Sequence, residues 1–145
     1  MTPEGSDEQR RANKAVVEAY YSDSQSGDLT PFLRDYLGSD FSAVAPNYVP
    51  LGGKVHDAQS FTTEVGPHLD RMLDYSSFDY EALIADGEQV CALVRIGIAN
   101  SPHTVLISEH WTVRDGKARS LRVIFFEPQN LLDSVGIAHG LMNPT

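Results

Sequence analysis

Two alternating runs that meet at Asp115-Gly116 constrain this chain more than any other feature. In the first run Ile107, Glu109, Trp111 and Val113 share one parity, and Leu106, Ser108, His110 and Thr112 share the other. Successive strand side chains point to opposite faces, so the run reads as a half-buried strand with an apolar odd face. Asp-Gly between two such runs is a strong hairpin signal, because glycine takes the positive φ of a tight turn without steric cost. Pairing Val113 with Arg119 sets Trp111 against Leu121, Glu109 against Val123 and Ile107 against Phe125. One acid, Glu109, therefore sits among apolar neighbours.

A third run, Val90, Ala92, Val94, Ile96 and Ile98, alternates in the same way and leads into the hairpin through Asn100-Ser-Pro-His103. Pairing Ile98 with Val105 places Val94 beside Glu109 and Arg95 on the opposite face. A slip of one residue gives the alternative, an internal ion pair between Arg95 and Glu109. The first register is preferred because it gathers most large apolar residues of both strands on one face.

Helices precede the strands. From Glu8 to Gln25, Ala12, Ala15, Val16, Ala19 and Tyr20 recur at helical spacing, with Ser6 or Asp7 as N-cap and Ser26-Gly27-Asp28 as the stop. Thr30-Pro31 restarts a helix carrying Phe32, Leu33, Tyr36 and Leu37 up to Gly38. Phe41 to Tyr48 reads as a short strand and Pro50-Leu-Gly-Gly53 as a turn. Asp57 caps a third helix from Ala58, with Phe61, Val65, Leu69 and Met72 inward, and Gly66-Pro67 must break or kink it. Ser76 to Ala85 is a further strand, and a short amphipathic segment lies around Leu131 to Leu141. Such an order predicts an α+β fold.

At 145 residues the chain is long enough to bury one core without disulfides. Its lone Cys91 fits a reducing compartment, the start Met1-Thr-Pro-Glu-Gly-Ser-Asp-Glu8 is too acidic for a targeting peptide, and no apolar run approaches a membrane span. A cytoplasmic location is expected. The net charge of −9 argues against nucleic acid or an anionic membrane as the main partner. His56, His68, His103, His110 and His139 lack metal-ligand spacing, and no glycine-rich phosphate loop precedes a helix, so no metal or cofactor is expected.

The element order, with Ala15-Val-Val-Glu-Ala-Tyr-Tyr21, Ser26-Gly-Asp28, Pro50-Leu-Gly-Gly53 and Gly116-Lys-Ala-Arg-Ser-Leu-Arg-Val-Ile-Phe-Phe-Glu-Pro128, resembles the SnoaL-like and ketosteroid isomerase-like branch of the nuclear transport factor 2-like (NTF2-like) superfamily. The resemblance implies a cone-shaped α+β barrel: three N-terminal helices on a strongly curved, mostly antiparallel sheet around a hydrophobic pocket. It covers residues 10–130, with 1–9 a flexible start and 131–145 a tail that is a candidate lid or dimer contact. It also implies a homodimer through the outer sheet face, where Leu93, Leu106, Ile124 and Phe126 fall. It does not imply one chemistry, since the superfamily holds isomerases, cyclases, dehydratases, epoxide hydrolases and non-catalytic binders.

By the same resemblance Tyr20 and Glu109 lie where ketosteroid isomerases place the two donors of an oxyanion hole. The proton-shuttling aspartate of those enzymes is replaced by Ala45, before Pro46. The final strand offers Leu121, Val123 and Phe125 where polyketide cyclases carry part of their acid and histidine machinery, and Asp57 replaces the last glycine of a Gly-Gly-x-x-x-Gly pattern. The expected activity is cofactor-independent acid/base chemistry, a cyclisation, isomerisation or dehydration, on a hydrophobic polyketide- or terpenoid-like molecule. Glu109 would transfer the proton and Tyr20 polarise an oxygen, with Tyr48, Phe61, Val65, His68, Val94, Ile107, Trp111, Leu121, Val123 and Phe125 contacting the substrate. Tyr21, about 100° further round the helix, is expected to be a packing or surface residue. A non-catalytic small-molecule binder or adaptor of the same fold is the alternative.

Overall fold

The computed structural model describes residues 6–136. Helix α1 spans Asp7–Ser26; Ser6 caps it by accepting from the Gln9 amide at 3.1 Å, and Gly27 ends it at φ 82°. Its buried stripe is Asn13, Val16, Val17, Tyr20, Tyr21 and Ser24, one position round from the expected one, and Ala12 and Ala15 are exposed. Methyl groups bury little surface, so the valines and tyrosines set the phase. The two polar members are satisfied: Asn13 Nδ2 donates to the Gly87 carbonyl at 2.8 Å and Ser24 Oγ to the Tyr20 carbonyl at 2.8 Å.

Helix α2 spans Thr30–Asp35 and β1 spans Leu37–Val44. Leu37 and Gly38 thus belong to the strand rather than to the preceding helix, and Tyr48 lies in a turn beyond the strand's end. After the two-residue β2 (His56–Asp57), α3 (Ala58–Ser60) is capped by Asp57 as expected, its Oδ1 accepting from the Ser60 amide at 2.9 Å. A π-helical turn, Phe61–Val65, then leads into α4 (Gly66–Met72). Pro67 has no amide to donate, and the wider turn before it is how the helix passes the proline without stopping.

Strands β3 (Leu73–Asp86), β4 (Gln89–Ile98), β5 (Thr104–Arg114) and β6 (Lys117–Phe126) follow, then α5 (Gln129–Ser134). The candidate lid beyond Gly136 lies outside the described residues. The single sheet has the order β2-β1-β6-β5-β4-β3, with β1 and β6 parallel and every other pair antiparallel. It is strongly curved and does not close on itself, so the fold is an open cone.

Two registers are corrected. Trp111, Glu109 and Ile107 do face Leu121, Val123 and Phe125, but Val113 pairs with Ala118 because Arg119 bulges out beside the turn, where Asp115 and Gly116 both take positive φ. Between β4 and β5, Ala92 faces Glu109 and Val94 faces Ile107. The connecting loop closes more tightly than expected: Asn100 takes φ 61° and the Ile98 amide donates to the His103 carbonyl at 3.1 Å. The displacement is an even number of residues, so every side chain keeps its face. Arg95 lies on the outer face, ion-paired with Glu81 at 3.0 Å, and the alternative with Glu109 is ruled out.

Candidate active site

Beneath the helices the curved inner face of the sheet leaves a narrow cavity. The sheet supplies Ile107, Glu109, Leu121, Val123 and Phe125; β1 and its loop supply Ala43, Ala45, Val49 and Leu51; the α3–π–α4 stretch supplies Phe61, Val65, His68, Leu69 and Met72. Among the substrate contacts expected from sequence, Phe61, Val65, His68, Ile107, Leu121, Val123 and Phe125 thus line one space. Tyr48, Val94 and Trp111 lie elsewhere. Val94 is fully buried in the sheet, Trp111 packs edge-on against Tyr20 and Phe32, and Tyr48 is half-buried with its hydroxyl accepting from the Phe125 amide.

Glu109 is only 6% exposed, although it carries a carboxyl group. Burial penalises the charged form and pushes its pKa up to about 7, while a hydrogen bond from Tyr21 pulls the other way. That donor is not Tyr20. The Tyr21 hydroxyl donates to Glu109 Oε1, and Trp111 Nε1 donates in turn to the Tyr21 oxygen at 3.4 Å. Tyr21 is buried, and burial together with the Glu109 charge holds its own pKa well above the ordinary tyrosine value. Tyr20 sits one position round, inside a ring cluster with Tyr21, Phe32, Phe61 and Trp111, and its hydroxyl is paired with that of Tyr75. Tyr75, at the start of β3, lines the cavity and feels the Glu109 charge.

Two histidines enter the cavity wall from the helical side. His56, only 5% exposed, is held at both nitrogens: Nε2 donates to the Leu51 carbonyl at 2.6 Å and Nδ1 meets Ser60 Oγ at 2.7 Å, which continues to Glu64 at 2.7 Å. This clamp fastens the Pro46–Gly53 loop, where Leu51 takes φ 65° and a Cβ on Gly52 would lie 1.8 Å from the Pro46 carbonyl oxygen. His68 differs. Its Nε2 is sealed from solvent with no hydrogen-bond partner, and burial and Arg71 lower its pKa from the usual imidazole value. Among the described residues no lysine or arginine lines the cavity.

The sequence does not point to Tyr21 or Tyr75 as site residues, and it offers His56 only as a turn histidine near the pocket mouth whose role stays open. Correct phasing of α1 on its bulky residues would have exposed Tyr21. Tyr75 shares the buried parity of Leu73 at the head of β3, ahead of the Ser76 start expected for that strand. His56 carries no comparable signal, because a strand of two residues shows no alternation.

The architecture is that of NTF2-like proteins. Solved structures that superpose on it include a candidate SnoaL-like polyketide cyclase from Jannaschia sp. CCS1 (TM-score 0.72, 10% identity, 90% of this chain and 96% of that one). TerC, crystallised with polyporic acid, gives a TM-score of 0.66 at 22% identity over 84% of this chain and 98% of that one. An NTF2-like protein from Burkholderia thailandensis E264 gives 0.66 at 16% identity over 90% and 97%. These likenesses establish the NTF2-like, SnoaL-like fold. No protein-family model matches the chain, and neither does any curated protein.

Proposed function

We propose that the chain is a cofactor-independent acid/base enzyme that acts on a hydrophobic, polyketide- or terpenoid-like small molecule. The observation that carries this reading is Glu109: a carboxyl group in an apolar cavity, with one oxygen bound by Tyr21 and a pKa near 7. An acid poised there is present in both protonation states at neutral pH, which is what proton transfer in either direction requires. Oε1 is occupied by Tyr21, and Oε2 is the oxygen offered to substrate. Tyr75 lines the cavity, shares hydrogen bonds with Tyr20 and Ser24, and would turn its hydroxyl to a substrate oxygen, with Tyr20 as a positioning residue behind it. The lack of lysine and arginine in the lining among the described residues favours an uncharged substrate. The SnoaL-like cyclase among the similar folds, and polyporic acid as the compound crystallised with TerC, agree with a flat oxygenated ligand.

A generic proton-abstraction probe tests the reading without knowledge of the natural substrate. In 5-nitrobenzisoxazole, a base removes the single ring C–H proton, the N–O bond breaks, and a coloured cyanophenolate leaves. Glu109 as carboxylate should accept that proton, giving turnover that rises with pH to a plateau with a midpoint near 7, and Glu109→Gln should abolish it. Turnover indifferent to that substitution would remove Glu109 from the chemistry. A binder without catalysis is the second reading, favoured by Ala45, which lines the cavity with no base to offer; it predicts probe binding with no turnover. We further propose a homodimer through the outer sheet face, where Ile124 and Phe126 of the expected patch are 47% and 61% exposed, Ile84 adds a residue 62% exposed, and Leu93 and Leu106 are half-buried. A monomer in sedimentation at micromolar concentration would overturn it.

A further inference from the structure

We propose that His68 is a second polar anchor for the ligand, facing the Glu109 wall from the helical side, and that the ligand is accordingly a flat apolar molecule with oxygens at two separated positions. The proposal deepens the proposed function and rests on its premise that the cavity is the ligand site. A buried polar atom without a partner is rare and costly in a folded protein, and among the described residues His68 Nε2 is the one side-chain atom in that condition. It belongs to a residue that lines the cavity while the atom itself is closed to a water-sized sphere, so a ligand polar group is the partner it gains once the ring turns toward the cavity. The backbone builds this placement on purpose. Phe61, Val65, His68, Leu69 and Met72 form one helical face on the cavity, and the π-helical turn that precedes α4 is of a kind frequent at functional sites. Pro67, directly before the histidine, ties α4 to that turn.

The other polar groups of the wall show why His68 is distinct. His56 spends both ring nitrogens inside the protein, and Glu109 spends one oxygen on Tyr21. His68 spends nothing on Nε2. Burial favours the neutral ring, whose Nε2 donates or accepts according to tautomer and so matches a hydroxyl or a carbonyl equally well. With no lysine or arginine in the lining among the described residues, a carboxylate or phosphate on the ligand would meet no fixed compensating charge. The second ligand function is therefore a neutral oxygen.

Two fluorescent probes of one shape separate the contributions: 2-naphthol, with a single hydroxyl, and 2,6-dihydroxynaphthalene, with hydroxyls at both ends. The wild-type protein should bind the diol about fivefold to tenfold more tightly, the range one satisfied buried polar group supplies. His68→Phe should bring the ratio of diol to 2-naphthol affinity to about one, whatever it does to both affinities together, and His68→Gln should retain part of the ratio. In the wild-type protein, where folding of a variant is not at issue, the His68 Nε2 NMR resonance should move with the diol and not with 2-naphthol. Equal affinities in the wild type, an advantage that survives His68→Phe, or an unmoved Nε2 resonance would overturn the role of His68 while 2-naphthol binding left the cavity reading standing. Failure of both probes to bind would overturn the two together.

Discussion

The two walls of the cavity are built on opposite terms. On the sheet side, Glu109 is backed by a close-packed ring cluster of Tyr20, Tyr21, Phe32 and Trp111, and its polar partner, Tyr21, comes from a helix far away in sequence. On the helical side the wall is a loop and three short helical pieces, held by hydrogen bonds among near neighbours: Asp57 to Ser60, His56 to Leu51, Ser60 to Glu64. One wall is rigid because rings interlock, the other because a histidine ties a loop with a left-handed residue at its centre. The comparison teaches where function sits in such a cone. The packed wall fixes the acid and shifts its pKa; the hydrogen-bonded wall carries the one sealed nitrogen among the described residues that the protein itself does not satisfy.

The largest effect should come from Trp111→Ala. Deleting a fully buried indole leaves a cavity and removes the Tyr21 contact, for an expected loss of about 4 kcal/mol in urea denaturation. His68→Phe on the other wall should cost less than about 1 kcal/mol, since it removes an unsatisfied atom. A reversed order would show that the walls have been assigned backwards. Next in size is Glu109→Gln. In the folded protein the acid titrates near 7, whereas in the unfolded chain it titrates at about 4.3. The folded state therefore holds the proton more tightly, and that stability is complete below the unfolded value and lost as pH rises through 7. Gln does not titrate and still accepts from Tyr21. The variant should match wild type near pH 4 and exceed it by up to about 3.5 kcal/mol above pH 8, while losing turnover of the benzisoxazole probe. Stability curves that run parallel across this range would mean Glu109 is solvated. His56→Ala should follow, with a loss of about 2 kcal/mol and faster hydrogen exchange at the Gly52 and Gly53 amides, which bond Val49 and Ala45 in the clamped loop.

Strand parity was legible in the sequence because Ile107, Trp111 and Val113 are large, and a period of two with large residues leaves no ambiguity about the inner face. It survived an error in register between β4 and β5, since a shift by an even number of residues preserves parity; only the partner of Glu109 changed, from Val94 to Ala92. The phase of α1 was not legible by counting apolar letters. Ala12, Ala15 and Ala19 complete an apparent stripe, but the surface they bury is small beside that of Val17 and Tyr21, so tertiary packing turned the helix. That single rotation exchanged the roles of Tyr20 and Tyr21. The helical wall was half legible: Asp57 announces its cap and Phe61 and Val65 their spacing, while the His56 clamp depends on a loop conformation that no periodicity encodes.

The smallest effect is the one that best separates the two tyrosines. Tyr21→Phe removes the hydrogen bond that holds the Glu109 pKa down against desolvation, so the carboxyl group should become harder to ionise. A hydrogen bond to a charged group amounts to about 1.5 to 3 kcal/mol, and water or Tyr75 will recover part of it, which leaves an upward shift of about one pH unit in the midpoint of probe turnover. Overall stability should fall by about 1 kcal/mol, since the lost bond is partly offset at neutral pH by a carboxyl group that now stays protonated. Tyr20→Phe provides the contrast. It removes the hydroxyl paired with Tyr75 and leaves the Tyr21 bond intact, so turnover should fall while the midpoint stays near 7. A midpoint that moves in Tyr20→Phe and stays fixed in Tyr21→Phe would return the hydrogen bond to the residue expected from sequence and undo the rotation of α1 on which the site is built.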